Sequence, residues 1–204
     1  CLDDEEMLLR GRVQYKVLEL ARLLIAYGPE PIASQQVIDA LWPDAEGDSA
    51  ATNLKSTVHR LRTLFGDAGF LLVSDGKLSL NRSLCWVDSW AFDALAPASH
   101  AGTALELSTA EEALALYRGD LFAQDHQPYL LPTRRRLRTR FLNLVGQLGQ
   151  VYETSSARDR AVSLYRHAIE IDPYADVLYR RLMACLSEGG RPAEAEGVYR
   201  QCET

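Results

Sequence analysis

No apolar run in the sequence approaches the roughly 18 to 20 residues that a membrane-spanning helix needs, so no membrane partner is expected. The opening residues, Cys1-Leu2-Asp3-Asp4-Glu5-Glu6, are acidic where a secretory signal is basic, which argues against export. Cysteine is scarce. Cys1, Cys85, Cys185 and Cys202 stand far apart, with no CxxC pair and no histidine at zinc spacing. Neither a disulfide framework nor a metal site is expected, and the thiols read as reduced and cytoplasmic. Catalytic signatures are missing as well. No GxSxG, HExxH or GxGxxG occurs, and His59, His100, His126 and His167 are isolated, so we expect no enzyme and no cofactor. Positive charge is not in excess: residues 1–85 hold 9 basic and 12 acidic side chains and residues 86–204 hold 13 and 16, so each part nets −3 of the total −6. Phosphate binding therefore has to come from local clusters.

What is present is an ordinary globular composition, 47% hydrophobic and 25% charged over 204 residues, enough for one large or two small domains. The chain starts at Cys1 instead of Met, and a preceding segment is expected. Two stretches break the charge balance. Ala50 to Phe65 carries Lys55, Arg60 and Arg62 with no acid, and Thr133 to Arg140 packs five arginines into eight residues.

Helical spacing of Val17, Leu20, Ala21, Leu24 and Ile25 predicts a helix over Tyr15 to Tyr27, ended by Gly28-Pro29. Ser34 is a good N-cap for a second helix, Gln35 to Trp42, stopped by Pro43. Asp48 or Ser49 caps a third, Ala50 to Phe65, stopped by Gly66. Its stripe of Leu54, Val58, Leu61 and Phe65 faces inward, leaving Thr52, Ser56, His59, Arg60 and Thr63 on the far side, Lys55 and Arg62 along one edge and Asn53 along the other. Such a front offers donors and acceptors suited to base edges and phosphates in a major groove, although any amphipathic helix also has a solvated face. Phe70 to Val73 and Lys77 to Leu80 read as strands joined through Ser74-Asp75-Gly76, a strong hairpin signal. Three helices followed by a hairpin make a winged helix-turn-helix, with Lys77 and Arg82 on the wing.

The run Val37-Ile38-Asp39-Ala40-Leu41-Trp42-Pro43-Asp44, then Asn53-Leu54, His59-Arg60-Leu61-Arg62 and Leu64-Phe65-Gly66, resembles the OmpR-like winged helix of the SARP family of bacterial transcriptional activators. Trp86-Val87-Asp88 with Phe92 looks like that family's junction into its bacterial transcriptional activator domain. OmpR-like domains begin with an N-terminal sheet, which is truncated here, Leu8 and Leu9 being candidates for its last strand. The phrases Asp75-Gly76-Lys77-Leu78-Ser79-Leu80 and Cys85-Trp86-Val87-Asp88 resemble a subgroup in which this module ends a large ATP-dependent, MalT-like regulator. That implies an upstream ATPase and sensor in the same chain, for which these residues carry no GxxxxGK[ST]. The resemblance further implies activation by recruiting RNA polymerase, often from tandem direct repeats.

Residues 145–204 repeat at a period of 34: Leu148 aligns with Leu182, Ala161 with Ala195, Tyr165-Arg166 with Tyr199-Arg200, and Ala168 with Cys202. Leu148, Gly149, Tyr152, Ala161, Tyr165, Ala168 and Pro173 fall at tetratricopeptide positions, which predicts antiparallel helix pairs. Upstream, Ser108 caps a helix through Tyr117, and Pro128 to Glu153 reads as one long helix. Arg134, Arg135 and Arg138 share a face of that helix. Two readings stay open for it: a solvated charged face, or a patch meeting DNA phosphate, RNA polymerase or the upstream sensor. The fold expected is mainly α, a winged helix-turn-helix over 1–85 followed by an all-α tetratricopeptide-like domain over 86–204. The function expected is sequence-specific recognition of double-stranded DNA by a transcriptional regulator. The competing reading is a protein-interaction scaffold whose winged helix does not bind DNA.

Overall fold

In the computed structural model, which describes residues 12–96, 104–155 and 157–202, the chain forms two compact units. One comprises Cys1–Trp90 with Leu121–Thr133, the other Ala91–Asp120 with Arg134–Thr204. Among the described residues no helix is long and apolar enough to cross a membrane. The expected strand at Leu8 and Leu9 lies outside the described residues, as does His100.

In the first unit, α1 (Arg12–Tyr27) buries Val17, Leu20, Leu23 and Leu24. A two-residue strand β1 (Ile32–Ala33) leads into α2 (Ser34–Leu41), and α3 (Gly47–Phe65) follows after the Pro43 turn. Ser34 is the first helical residue instead of the cap. Ala33 takes the cap position, and its N–H donates to Gln36 Oε1 at 3.4 Å. The last turn of α2 is closed from outside, Lys16 Nζ donating to the Leu41 carbonyl at 2.7 Å. The start of α3 also differs from the sequence reading. It lies at Gly47, so Asp48 and Ser49 sit in the first turn, where a carboxylate favours the helix dipole, and the cap position falls to Glu46.

After Gly66 a 3-10 turn (Ala68–Phe70) delivers β2 (Leu71–Ser74), one residue later than the apolar run suggests, and β3 (Lys77–Leu80) returns antiparallel. Asp75 and Gly76 both have positive φ, 50° and 70°, the geometry a two-residue hairpin of matching twist requires and the reason an Asp-Gly pair stands there. The sheet order is β1-β3-β2, with Ile32 opposite Leu78 and Leu71 opposite Leu80. Leu20, Leu24, Val37, Leu41, Leu54, Leu61, Phe70, Leu71, Leu78 and Leu80 form one core, against which Trp42, Trp90 and Tyr129 pack.

The second unit is helical. It contains the end of α4 (Asp88–Leu95), α5 (Ala104–Leu116), most of α6 (Leu131–Thr154), α7 (Arg158–Ile171), α8 (Asp176–Glu188) and α9 (Pro192–Cys202). Ser108 lies inside α5, which starts four residues earlier, and does not cap it. The long helix expected from Pro128 starts at Leu131 after a 3-10 turn (Pro128–Leu130). Pro132 then sits in the first turn, where its missing N–H costs nothing. The 34-residue repeat is realised as packing: Leu148 and Leu182 are buried, as are Ala161 and Ala195, and α8 packs on both α7 and α9. A Cβ at Gly149 would overlap the ring of Tyr165, so this glycine makes room for a fully buried aromatic. Tyr165 Oη donates to Glu153 Oε1 at 2.6 Å, while its repeat equivalent, Tyr199, stands half exposed.

Candidate nucleic-acid interface

The back of α3 is greasy and its front is polar, as a recognition helix must be if one side is to hold it in place while the other reads. Ala50, Leu54, Thr57, Val58 and Leu61 are buried. Thr57 was not foreseen among them: its hydroxyl donates to the Asn53 carbonyl at 2.8 Å, which satisfies the polar atom and lets the methyl turn inward. Thr52, Asn53, Lys55, Ser56, His59, Arg60 and Thr63 are all exposed, gathered on one outward face about three turns long. The hydroxyls of Thr52 and Thr63 donate to the carbonyls of Asp48 and His59, at 2.9 and 3.0 Å, so their oxygens keep lone pairs directed outward as acceptors. Lys55, His59 and Arg60 meet no carboxylate and no hydrogen-bond acceptor among the described residues.

Arg62 is different. It is half-buried and its Nη2 donates to the Leu71 carbonyl at 2.7 Å, where β2 begins. Lys77 is exposed at the first position of β3, beside the hairpin tip, and Arg82 is exposed just beyond that strand. At the tip, Ser74 Oγ donates to Asp75 Oδ2 at 2.9 Å.

The arginine run of α6 is organised otherwise. Arg138 grips Asp172 through both edges of its fork, Nε to Oδ2 at 2.6 Å and Nη2 to Oδ1 at 3.1 Å. This bond to the buried carboxylate is the main reason the Arg138 guanidinium is held more strongly protonated than usual. Arg140 Nη1 bonds both Oδ1 and the carbonyl of Asp93, at 2.7 and 2.9 Å, and Arg136 pairs with the same carboxylate. Arg134 is half-buried and engaged, and Arg135 is exposed. Sequence reasoning missed these carboxylates because they lie 34 to 47 residues from their arginines. Two grooves of the second unit, of about 470 and 450 Å³, are lined at matching repeat positions, Leu148, Ser163, Leu164 and His167 in one and Leu182, Gly197, Val198 and Gln201 in the other. They are seams between successive repeats. Among the described residues no three His, Cys, Asp or Glu side chains cluster as a cation site.

The sequence pattern of the family described as bacterial transcriptional activator domain matches residues 87–204, more than half of the chain. The chain belongs to the bacterial transcriptional activator domain family. That family is one of transcription regulators and not of enzymes. Among solved structures, the chain is similar to Mycobacterium tuberculosis EmbR in complex with a low affinity phosphopeptide, at a TM-score of 0.67 and 20% identity, over 94% of this chain and 53% of that one. It thus spans about half the length of that structure, and the likeness is one of fold: a winged helix followed by the helical activator domain. No curated protein matches. A SARP-like activator, as the winged-helix residues implied, agrees with both the family and the fold.

Proposed function

We propose that the chain is a sequence-specific DNA-binding transcriptional activator that reads double-stranded DNA with the outward face of α3. One observation carries this reading: seven exposed polar or basic residues, Thr52, Asn53, Lys55, Ser56, His59, Arg60 and Thr63, share one face with no acid among them, on a helix whose opposite side is locked in a core. Asn53, Arg60 and His59 are suited to base edges, and Lys55 with Lys77 and Arg82 to phosphates. The unit's net negative charge does not oppose this, because Asp39 lies on α2 and Asp44 and Glu46 on the turn after it, leaving Asp48, in the first turn, as the one acid of α3. Residues 1–85 supply the DNA contacts and residues 86–204 the activator module, which meets RNA polymerase. The chain acts in the cytoplasm without catalysis or cofactor, as the terminal part of a larger MalT-like regulator whose upstream ATPase and sensor control it. The arginines of α6 serve their own unit.

The experiment is selection of bound sequences from a random duplex pool at low salt, beside a Lys55→Ala, Arg60→Ala double variant. We expect an enriched motif that the variant loses. Absence of duplex affinity in folded protein, even at low ionic strength, would sink the reading and leave the protein-interaction scaffold, since phosphate-driven binding is strongest there.

A further inference from the structure

Arg62 lies on the edge of the reading face and carries a charge, so by position it counts as one more phosphate ligand. Its surroundings say otherwise. The side chain turns away from the outward face toward the junction of α3 with the wing, and Nη2 donates to the carbonyl of Leu71. Nε is buried without a partner. These two nitrogens form the side-on edge of the guanidinium, one of the two edges that can take two oxygens of a phosphate or the O6/N7 edge of a guanine as a pair. In Arg62 that edge faces inward, against protein backbone.

What it touches matters. Leu71 is the first residue of β2, fully buried and paired with Leu80 of β3. Between Arg62 and Leu71 the chain reverses through Gly66 and the 3-10 turn, and the reversal is closed by Phe65 stacked on Phe70, with ring centroids 4.3 Å apart. Asn81, at the far end of the hairpin, bonds the carbonyls of Gly69 and Phe70 at 3.1 and 2.7 Å. The guanidinium is thus the only side chain of α3 that a hydrogen bond among the described residues ties to the wing sheet. A charge-assisted bond of this length is among the stronger single polar contacts.

We infer that Arg62 is a positioning residue of the DNA interface: it fixes the wing hairpin relative to the reading helix, so that Lys77 and the face of α3 engage one duplex together, and it does not itself neutralise a phosphate. This rests on the DNA-binding reading for its consequence, though not for its geometry.

The test compares the full chain with Arg62→Ala, Arg62→Lys and Arg60→Ala, reading two quantities. The first is amide hydrogen exchange of Leu71 to Leu80 without DNA. Arg62→Ala is expected to speed exchange there about tenfold while leaving the buried residues of α1 unchanged, Arg62→Lys to speed it less, and Arg60→Ala not at all. The second is the slope of log affinity against log salt for the selected duplex. Arg62→Ala weakens binding with an unchanged slope, whereas loss of a phosphate contact lowers the slope by about 0.9. Unchanged wing exchange in Arg62→Ala overturns the inference whatever the DNA data say, and so does a slope reduced by about one. Should Arg62→Ala fail to fold, Arg62→Lys keeps the charge and decides by the same wing readout. If the wild-type chain binds no duplex, the DNA reading falls and the exchange measurement still rules on Arg62.

Discussion

Helices α3 and α6 are both long and both amphipathic, and each carries a cluster of cations, three on α3 and five on α6, yet these cations keep different company. On α6, Arg136, Arg138 and Arg140 close on Asp93 and Asp172 within their own unit, and one of those carboxylates is buried. On α3, Lys55 and Arg60 have no carboxylate within reach among the described residues, and the acids of that region lie on α2 and around the start of α3. The denser cluster is thus the one whose charge is partly met within its own unit. Arginine density alone is a poor guide to a nucleic-acid surface; what counts is whether the fold supplies counter-charges of its own.

The largest expected effect probes the inward investment of α6. Gly149→Ala forces a methyl into the Tyr165 ring and should cost roughly 3 kcal/mol of stability, as overpacking of a closed helix contact does. Urea unfolding followed by circular dichroism reads it, and an unchanged midpoint would show that the ring simply moves aside. Next comes a crossed pair. Arg60→Ala should weaken duplex binding by roughly 1 to 3 kcal/mol and leave stability within about 0.5 kcal/mol, and Arg138→Ala should do the reverse, costing about 1 to 2 kcal/mol of stability because Asp172 is left buried without its fork. Equal losses of DNA affinity in the two variants would break the comparison outright.

A gentler probe is alkaline pH. Cys185 is buried and lies 3.5 Å from Glu153 Oε1; burial first, then that carboxylate, pushes its thiol from near 9 to about 11. Because the folded value is the higher, the stability linked to the protonated thiol is complete below about pH 9 and is lost as pH rises through about 11. Thermal unfolding between pH 8 and 11.5 should show a decline that Cys185→Ala reduces; parallel profiles for the two proteins would argue against it. The smallest effect belongs to Arg135, exposed on the same helix. Arg135→Ala should change neither stability nor duplex affinity by more than about 0.5 kcal/mol, and a larger loss of affinity would restore this helix as a phosphate surface.

Much of α3 was legible from periodicity, because a stripe of Leu54, Val58 and Leu61 has one way to face a core, and the Asp-Gly turn announced its hairpin. The 34-residue repeat announced the helix pairs in the same manner. What escaped reading depended on distant partners. The strand Ile32–Ala33 is too short to show a pattern and exists because β3 passes beside it. The bond of Arg62 to Leu71 and the fork of Arg138 on Asp172 are equally invisible to spacing, since each is decided by where another segment of chain comes to rest.

The last turn of α1 leaves its carbonyls without intrahelical partners, and two of them are met by residues far along the chain: Trp90 Nε1 donates to Ile25 at 2.8 Å, and Thr133 Oγ1 to Ala26 at 2.6 Å. The segment ending at Thr133 also brings Tyr129 against the core and packs its 3-10 turn on α1. On a ribosome this imposes an order of events. The winged helix can begin to gather once Leu80 has emerged and Ile25 can be met as soon as Trp90 follows, but the carbonyl of Ala26 waits for its Thr133 partner until translation has passed through Ala91–Asp120, a stretch that belongs to the other unit. The newborn chain therefore completes its first unit only after part of the second has been made.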